Sequence, residues 1–182
     1  HNVPALSLNS CGHVRIFEYD GNSNTWNQVG NDIDGPIISG EFGFSVSLSE
    51  NGDIVAIGAP QAFSWGASNY GHTRIYTFNT QNWIQIGNDI VGNSNDQSGH
   101  AVSLSSDGYT VAIGSPSSLT PKVRIFNWNN SAWVQTGGDI SFLWNLASVF
   151  GSKVSISNDG NRVAIGADGV SVVYEEDNGS WI

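Results

Sequence analysis

The chain is short of charge, and of positive charge above all. Only 12% of its 182 residues are Asp, Glu, Lys or Arg, with 6 basic against 16 acidic residues and a net charge of −10. A pI near 4.4 argues against nucleic acid, whose phosphates demand a basic face. Cysteine is almost absent: Cys11 stands alone, so no internal disulfide can form. It reads as a small buried apolar residue, with a free thiol or half of an intermolecular bridge as the alternatives. No run approaches the roughly 18 apolar residues of a membrane helix, so no span is expected. There is no methionine, and the chain opens on His1 in mid-repeat, as expected of a processed or partial chain without its signal peptide. With so few charges, Asn, Ser, Thr, Gln and Gly must keep the surface wet. That composition fits a protein facing salt water or another extracellular fluid.

What is present is repetition. Val46-Ser47-Leu48-Ser49 leads through Asn51-Gly52 to Val55-Ala56-Ile57-Gly58. Val102-Ser103-Leu104-Ser105 leads through Asp107-Gly108 to Val111-Ala112-Ile113-Gly114, and Val154-Ser155-Ile156-Ser157 through Asp159-Gly160 to Val163-Ala164-Ile165-Gly166. A second phrase alternates with it: Val14-Arg15-Ile16-Phe17, Thr73-Arg74-Ile75-Tyr76 and Val123-Arg124-Ile125-Phe126. Each is followed by a segment opening on Trp26, Trp83 or Trp133. Alternation of Val or Leu with Ser is the period-two mark of a half-buried strand. Asn-Gly and Asp-Gly predict a two-residue type I′ turn with both φ angles positive. Val-Ala-Ile-Gly then reads as a strand covered on both faces, with Ala56, Ala112 and Ala164 marking a tight approach.

Four short strands per period predict an all-β protein, a β-propeller of four-stranded antiparallel blades. The expected divisions are a half blade over 1–40, blades over 41–92 and 93–145, and a blade over 146–182 whose last strand is incomplete. That makes about three and a half blades, whereas closed propellers have about 4–8. Trp26, Trp83, Trp133 and Trp181 are expected to anchor blade on blade. Arg15, Arg74 and Arg124 recur once per blade, as do Asp32, Asp89 and Asp139, which predicts a structural ion pair in each. Ser171 stands at the arginine position of the last copy. A ring of arginines facing acidic ligands is the alternative.

Phe42-Gly43 with Gly58-Ala59-Pro60, and more weakly Phe150-Gly151 with Gly166-Ala167-Asp168, resemble the FG-GAP repeat of secreted bacterial and algal surface proteins. A more distant relative is the integrin α head, which binds protein partners. That branch carries calcium loops of the form Asp-x-Asp-x-Asp-Gly, and the corresponding loops here hold no carboxylate. Asp32, Asp34 and Asp96 are the loop acids with an oxygen-ligand look, but calcium takes about 6–8 oxygens. No cofactor is therefore expected, with calcium as the one alternative.

No nucleophile–base set stands out. His13 and His72 share a repeat position with Lys122 and read as scaffold; His100 reads as a rim or core substitution rather than a base. Phe63, Trp65, Tyr70, Phe142 and Trp144 lie on loops and are candidates for contact with a partner or a glycan. Asn129 and Asn178 open N-glycosylation sequons. The expectation is thus a protein that is no enzyme. It would be an extracellular or cell-surface module for adhesion or assembly, able to join copies of itself into a ring or fibre through its unfinished blades. Its partners would be such copies, surface proteins or glycans; a carbohydrate-binding propeller using the loop aromatics is the alternative.

Overall fold

The computed structural model describes residues 11–36, 40–62, 69–117, 121–141 and 149–182. Every regular element among them is a β-strand. β1 (His13–Val14), β2 (Phe17–Asp20), β3 (Thr25–Gln28) and β4 (Ile33–Asp34) form two short ribbons, β1 with β4 and β2 with β3. β5 (Ser45–Leu48), β6 (Ile54–Ala59), β7 (His72–Phe78) and β8 (Trp83–Gln85) lie side by side, and β9 (Ile90–Val91) returns to β7. β10 (Ala101–Leu104), β11 (Thr110–Ser115), β12 (Lys122–Trp128), β13 (Trp133–Gln135) and β14 (Ile140–Ser141) repeat that plan. β15 (Lys153–Ile156), β16 (Arg162–Ala167), β17 (Val170–Asp177) and β18 (Ser180–Trp181) form a four-stranded sheet. All strand pairings are antiparallel, and the architecture is that of a β-propeller.

Apolar side chains hold neighbouring sheets together. Ile54, Ala56 and Ile75 pack against Val102, Leu104, Val111 and Phe126 of the next sheet. One junction on, Ala112, Val123 and Ile125 meet Phe150, Ile156, Val163 and Ile165. The Val-Ala-Ile-Gly strand is buried on both faces in β6, which is why it carries no polar alternation. The first strands of successive sheets also touch: the Leu104 amide donates to Ser47 Oγ at 2.9 Å, and the Ile156 amide to Ser103 Oγ at 3.1 Å. Against the outer face of β5 no sheet lies among the described residues. Val46 and Leu48 are accordingly 54% and 48% exposed, where Val102 and Leu104 are 8% and 7%.

The hairpin turns differ from the type I′ expectation. Gly52, Gly108 and Gly160 have φ near +76°, but Asn51, Asp107 and Asp159 do not adopt positive φ. The Gly52 amide bonds the Ser49 carbonyl at 3.0 Å, and the Asp53 amide donates to Asn51 Oδ1 at 3.1 Å. This is a longer loop closed by a glycine in the left-handed region, with the Asn or Asp side chain folding the turn. The second difference is a set of short strands. The chain bends at Gly30, Gly87 and Gly137 (φ +70°, +74° and +70°) and then pairs again, as β4, β9 and β14. A methyl group on Gly87 would stand 2.8 Å from Trp128 and 2.9 Å from Trp133, so the bend also makes room for the indoles.

Candidate functional site

His100 opens the strand edge where three sheets converge. Its ring lies 4.8 Å from that of Phe44, from the preceding sheet, and near the backbone of Ser152 in the following one. Nδ1 is buried without a hydrogen-bond partner. Burial, and then the Lys153 ammonium, push the His100 pKa below its ordinary value, against a smaller opposing pull from Glu41. The result is an imidazole that favours its neutral form, half-buried beside the half-exposed ring of Phe44. Phe44, His100 and Ser152 occupy one repeat position, each following or sitting beside a glycine with φ of +91°, +87° or +83° (Gly43, Gly99, Gly151). These glycines let the sheets close up: a methyl on Gly99 would meet the His72 carbonyl oxygen of the preceding sheet at 2.6 Å.

The recurring arginines behave differently from one another. Arg15 grips Asp32 through two nitrogens at 2.9 and 2.7 Å, and its hydrogen bonds hold the Asp32 carboxyl down at about 2. Arg74 grips Asp89 at 2.8 Å twice. Gln28 and Gln85 complete each clamp at 2.8 and 2.9 Å. Arg124 departs from the pattern expected for it. It donates to Ser98 Oγ at 3.0 Å and to the Val91 carbonyl at 3.3 Å, while Asp139 stands 3.7 Å from Lys122 instead. The reason is Ser98, which takes the place that Phe42 and Phe150 hold in the other copies and gives the guanidinium a polar target. Lys122 pairs with the buried Asp96 at 3.2 Å in the same junction. Register also corrects the last copy: Ile57 faces Arg74, Ile113 faces Arg124 and Ile165 faces Val172, so Val172 and not Ser171 holds the arginine position.

Arg124 and Asp89 line a cleft between sheets, of about 260 Å³, with Phe126, Trp133 and Gln135. A similar cleft of about 310 Å³ follows, lined by Asp139, Tyr174 and Trp181 but by no cation. In the first cleft, Arg124 Nε is buried without a partner.

Of the loop aromatics, Phe63, Trp65, Phe142 and Trp144 lie outside the described residues, and Tyr70 is half-buried. Trp26 is 67% exposed and anchors nothing, because no sheet precedes it among the described residues. Trp83, Trp133 and Trp181 are half-buried, and each indole N–H reaches back to the preceding sheet: to the Val29, Ile86 and Thr136 carbonyls at 2.9, 3.0 and 3.1 Å. Asn129 and Asn178 are exposed in hairpin turns, and Asn129 Oδ1 accepts from the Ser131 and Ala132 amides. Cys11 is half-buried with a free thiol. Asp32 and Asp96 are engaged by Arg15 and Lys122, and no group of three or more metal-ligating side chains occurs among the described residues. Lys153, which sequence reasoning passed over, is exposed at the start of β15. The signal was in the sequence, since it is the one cation in a first-strand phrase.

No family model and no curated protein matches the chain. Solved structures do. A protein from Bacteroides uniformis, provisionally named a 6-phosphogluconolactonase, aligns with a TM-score of 0.65 at 14% identity, over 93% of this chain and 46% of its own. The periplasmic gluconolactonase of Pseudomonas aeruginosa aligns with a TM-score of 0.59 at 13% identity, over 88% of this chain and 45% of its own. KlAtg21, in complex with the coiled coil of AgAtg16, gives 0.60 at 16%, over 91% and 48%. The chain thus spans less than half the length of these structures, and the likeness is one of fold. It corrects the expectation of a non-enzymatic module for adhesion or assembly: two of these three propeller-like neighbours carry the names of lactonases. Repeats report how sheets stack, and the same stack serves unrelated functions, so the scaffold phrases could not decide this point.

Proposed function

We propose that the protein is an exported propeller enzyme that hydrolyses a sugar lactone, with His100 as its general base. The observation that carries this reading is the unpartnered Nδ1 of His100, on a ring whose burial favours the neutral form. The names of the neighbours supply the substrate class, and the periplasmic one supplies the export. The repeats themselves are read as FG-GAP-type, on Phe42-Gly43 and Phe150-Gly151.

In this reaction a water oxygen adds to the lactone carbonyl carbon while His100 Nδ1 takes the water proton. The ring C–O bond then breaks, and the same proton passes to the departing oxygen, leaving the open hydroxy acid and a neutral imidazole. Nδ1 is closed off from solvent, and the half-exposed Phe44 ring 4.8 Å away would turn aside to admit water, a motion open to an exposed side chain on a ps–ns timescale. Turnover should rise with pH through the His100 pKa, which lies below 6.5, because only the neutral ring accepts a proton. The test is acid release from glucono-δ-lactone in a pH-stat, corrected for spontaneous opening. Loss of roughly 100-fold or more in His100→Gln is expected, since general bases contribute about that much. Equal rates with and without protein would overturn the assignment.

A further inference from the structure

The two clefts between sheets follow one plan, and the second lacks the cation of the first. In the first, of about 260 Å³, Arg124 lines the wall with Asp89, Phe126 and Trp133. Its guanidinium carbon lies 5.5 Å from the centre of the Phe126 ring. In the second, of about 310 Å³, strand register puts Tyr174 in the place of Phe126 and Trp181 in that of Trp133. Asp139 stands where Asp89 does, just ahead of β14 as Asp89 is of β9. The arginine position is Val172, and among the described residues no cation lines this cleft.

Asp139 has lost the grip of its own repeat as well. Arg15 and Arg74 clamp Asp32 and Asp89, whereas Arg124, which would clamp Asp139, has turned to Ser98. What remains is Gln135 Nε2 at 3.0 Å and Lys122 Nζ at 3.7 Å, and Lys122 lies closer to Asp96, at 3.2 Å. The Asp139 side chain is 45% exposed, against 33% for Asp32 and 31% for Asp89. A carboxylate has about four lone-pair sites, so this one keeps acceptor capacity to spare.

We propose that this second cleft takes an organic cation, the guanidinium of a small molecule or of an arginine side chain, in the place that Arg124 fills one junction earlier. The molecule holds the template itself: in the first cleft a guanidinium already lies over an aromatic ring in a wall shared with an aspartate. The rings of Tyr174 and Trp181 attract a cation through their π-electrons, and a carboxylate accepts the planar N–H fork of a guanidinium in pairs. A net charge of −10 draws cations toward the surface before any contact is made.

Ethylguanidinium is titrated into the protein at low salt, to about 10 mM, with the Trp181 indole N–H followed by NMR. That indole lines the cleft, and its proton is fixed on the Thr136 carbonyl. A saturable shift is expected. Urea has a similar plane and donors without the charge, and should leave the signal unmoved. Asp139→Asn should weaken binding roughly tenfold or more, as the loss of a charge-assisted contact would. Asp53→Asn removes the same charge from an exposed turn and should change nothing. Val172→Arg supplies the protein's own guanidinium and should abolish binding. Tighter binding of the peptide Gly-Arg-Gly than of ethylguanidinium would assign the group to a polypeptide, and equal affinities to a small molecule. A signal unmoved by ethylguanidinium, or moved as much by urea or by methyl α-glucoside, would overturn the proposal. So would binding within twofold of the parent in either Asp139→Asn or Val172→Arg.

Discussion

Between the β5–β9 and β10–β14 sheets, the residue ahead of the left-handed glycine is Ser98, and around it lie Asp96, Lys122 and Arg124, all buried. Between the β10–β14 and β15–β18 sheets the same place is held by Phe150, 1% exposed and packed on Val123, Ile125 and Ile165. The backbone is the same in both, down to the glycine φ values of +87° and +83°. The side chains are opposites. One junction is fastened by desolvated charges whose worth depends on complete pairing, the other by area removed from water. A propeller unit therefore tolerates either chemistry at this place, provided that the neighbouring strand changes with it: Arg124 bonds Ser98 and Lys122 pairs with Asp96, whereas Val170 and Val172 occupy those positions on β17.

The comparison can be broken most severely at the apolar junction. Phe150→Ala should cost about 3–5 kcal/mol in urea denaturation, the sum of lost burial and a cavity under two sheets. At the polar junction, Lys122→Met should cost about 3 kcal/mol by leaving the Asp96 carboxylate buried and unpaired. Adding Asp96→Ala should recover most of that loss, and no recovery would show that packing of the lysine stem, not its charge, was lost. Acid gives the smallest effect and sharpens the contrast at the first junction, where the Lys122 position is held by His72. Burial drives its pKa down, and its Nε2 has no partner. The unfolded chain therefore binds a proton near pH 6.5 that the fold resists, so stability is full above that pH and falls as the pH drops below it. The slope should be at most about 1.4 kcal/mol per pH unit from this residue. His72→Gln should flatten the curve between pH 6.5 and 5; an unchanged slope would assign the sensitivity to other groups.

How much of this could be read in the sequence depended on whether a residue repeats. The Val-Ser-Leu-Ser and Val-Ala-Ile-Gly phrases carry period-two and all-apolar patterns, and β5, β6, β10, β11, β15 and β16 follow them closely. The strands β4, β9 and β14 are two residues long and follow a glycine bend, so they offer no periodicity to detect. The Val172 register was hidden because β17 follows a turn shorter than those before β7 and β12, which shifts the alignment by one. Arg124 looked like Arg15 and Arg74 because its new partner, Ser98, is 26 residues away. The candidate site was the least legible part. His100 breaks the repeat and Asp139 keeps it, and what distinguishes them is an orphaned nitrogen and a missing arginine clamp, neither of which shows in a string of letters.

The indole hydrogen bonds have a mechanical consequence. Trp83, Trp133 and Trp181 each clasp the outer strand of the sheet before them, so consecutive units are tied one to the next. Such a stack is coupled in series, with each unit's stability set by nearest neighbours rather than by the whole. Load applied to one unit would therefore pass to the next through its indole clasp, as along the links of a chain.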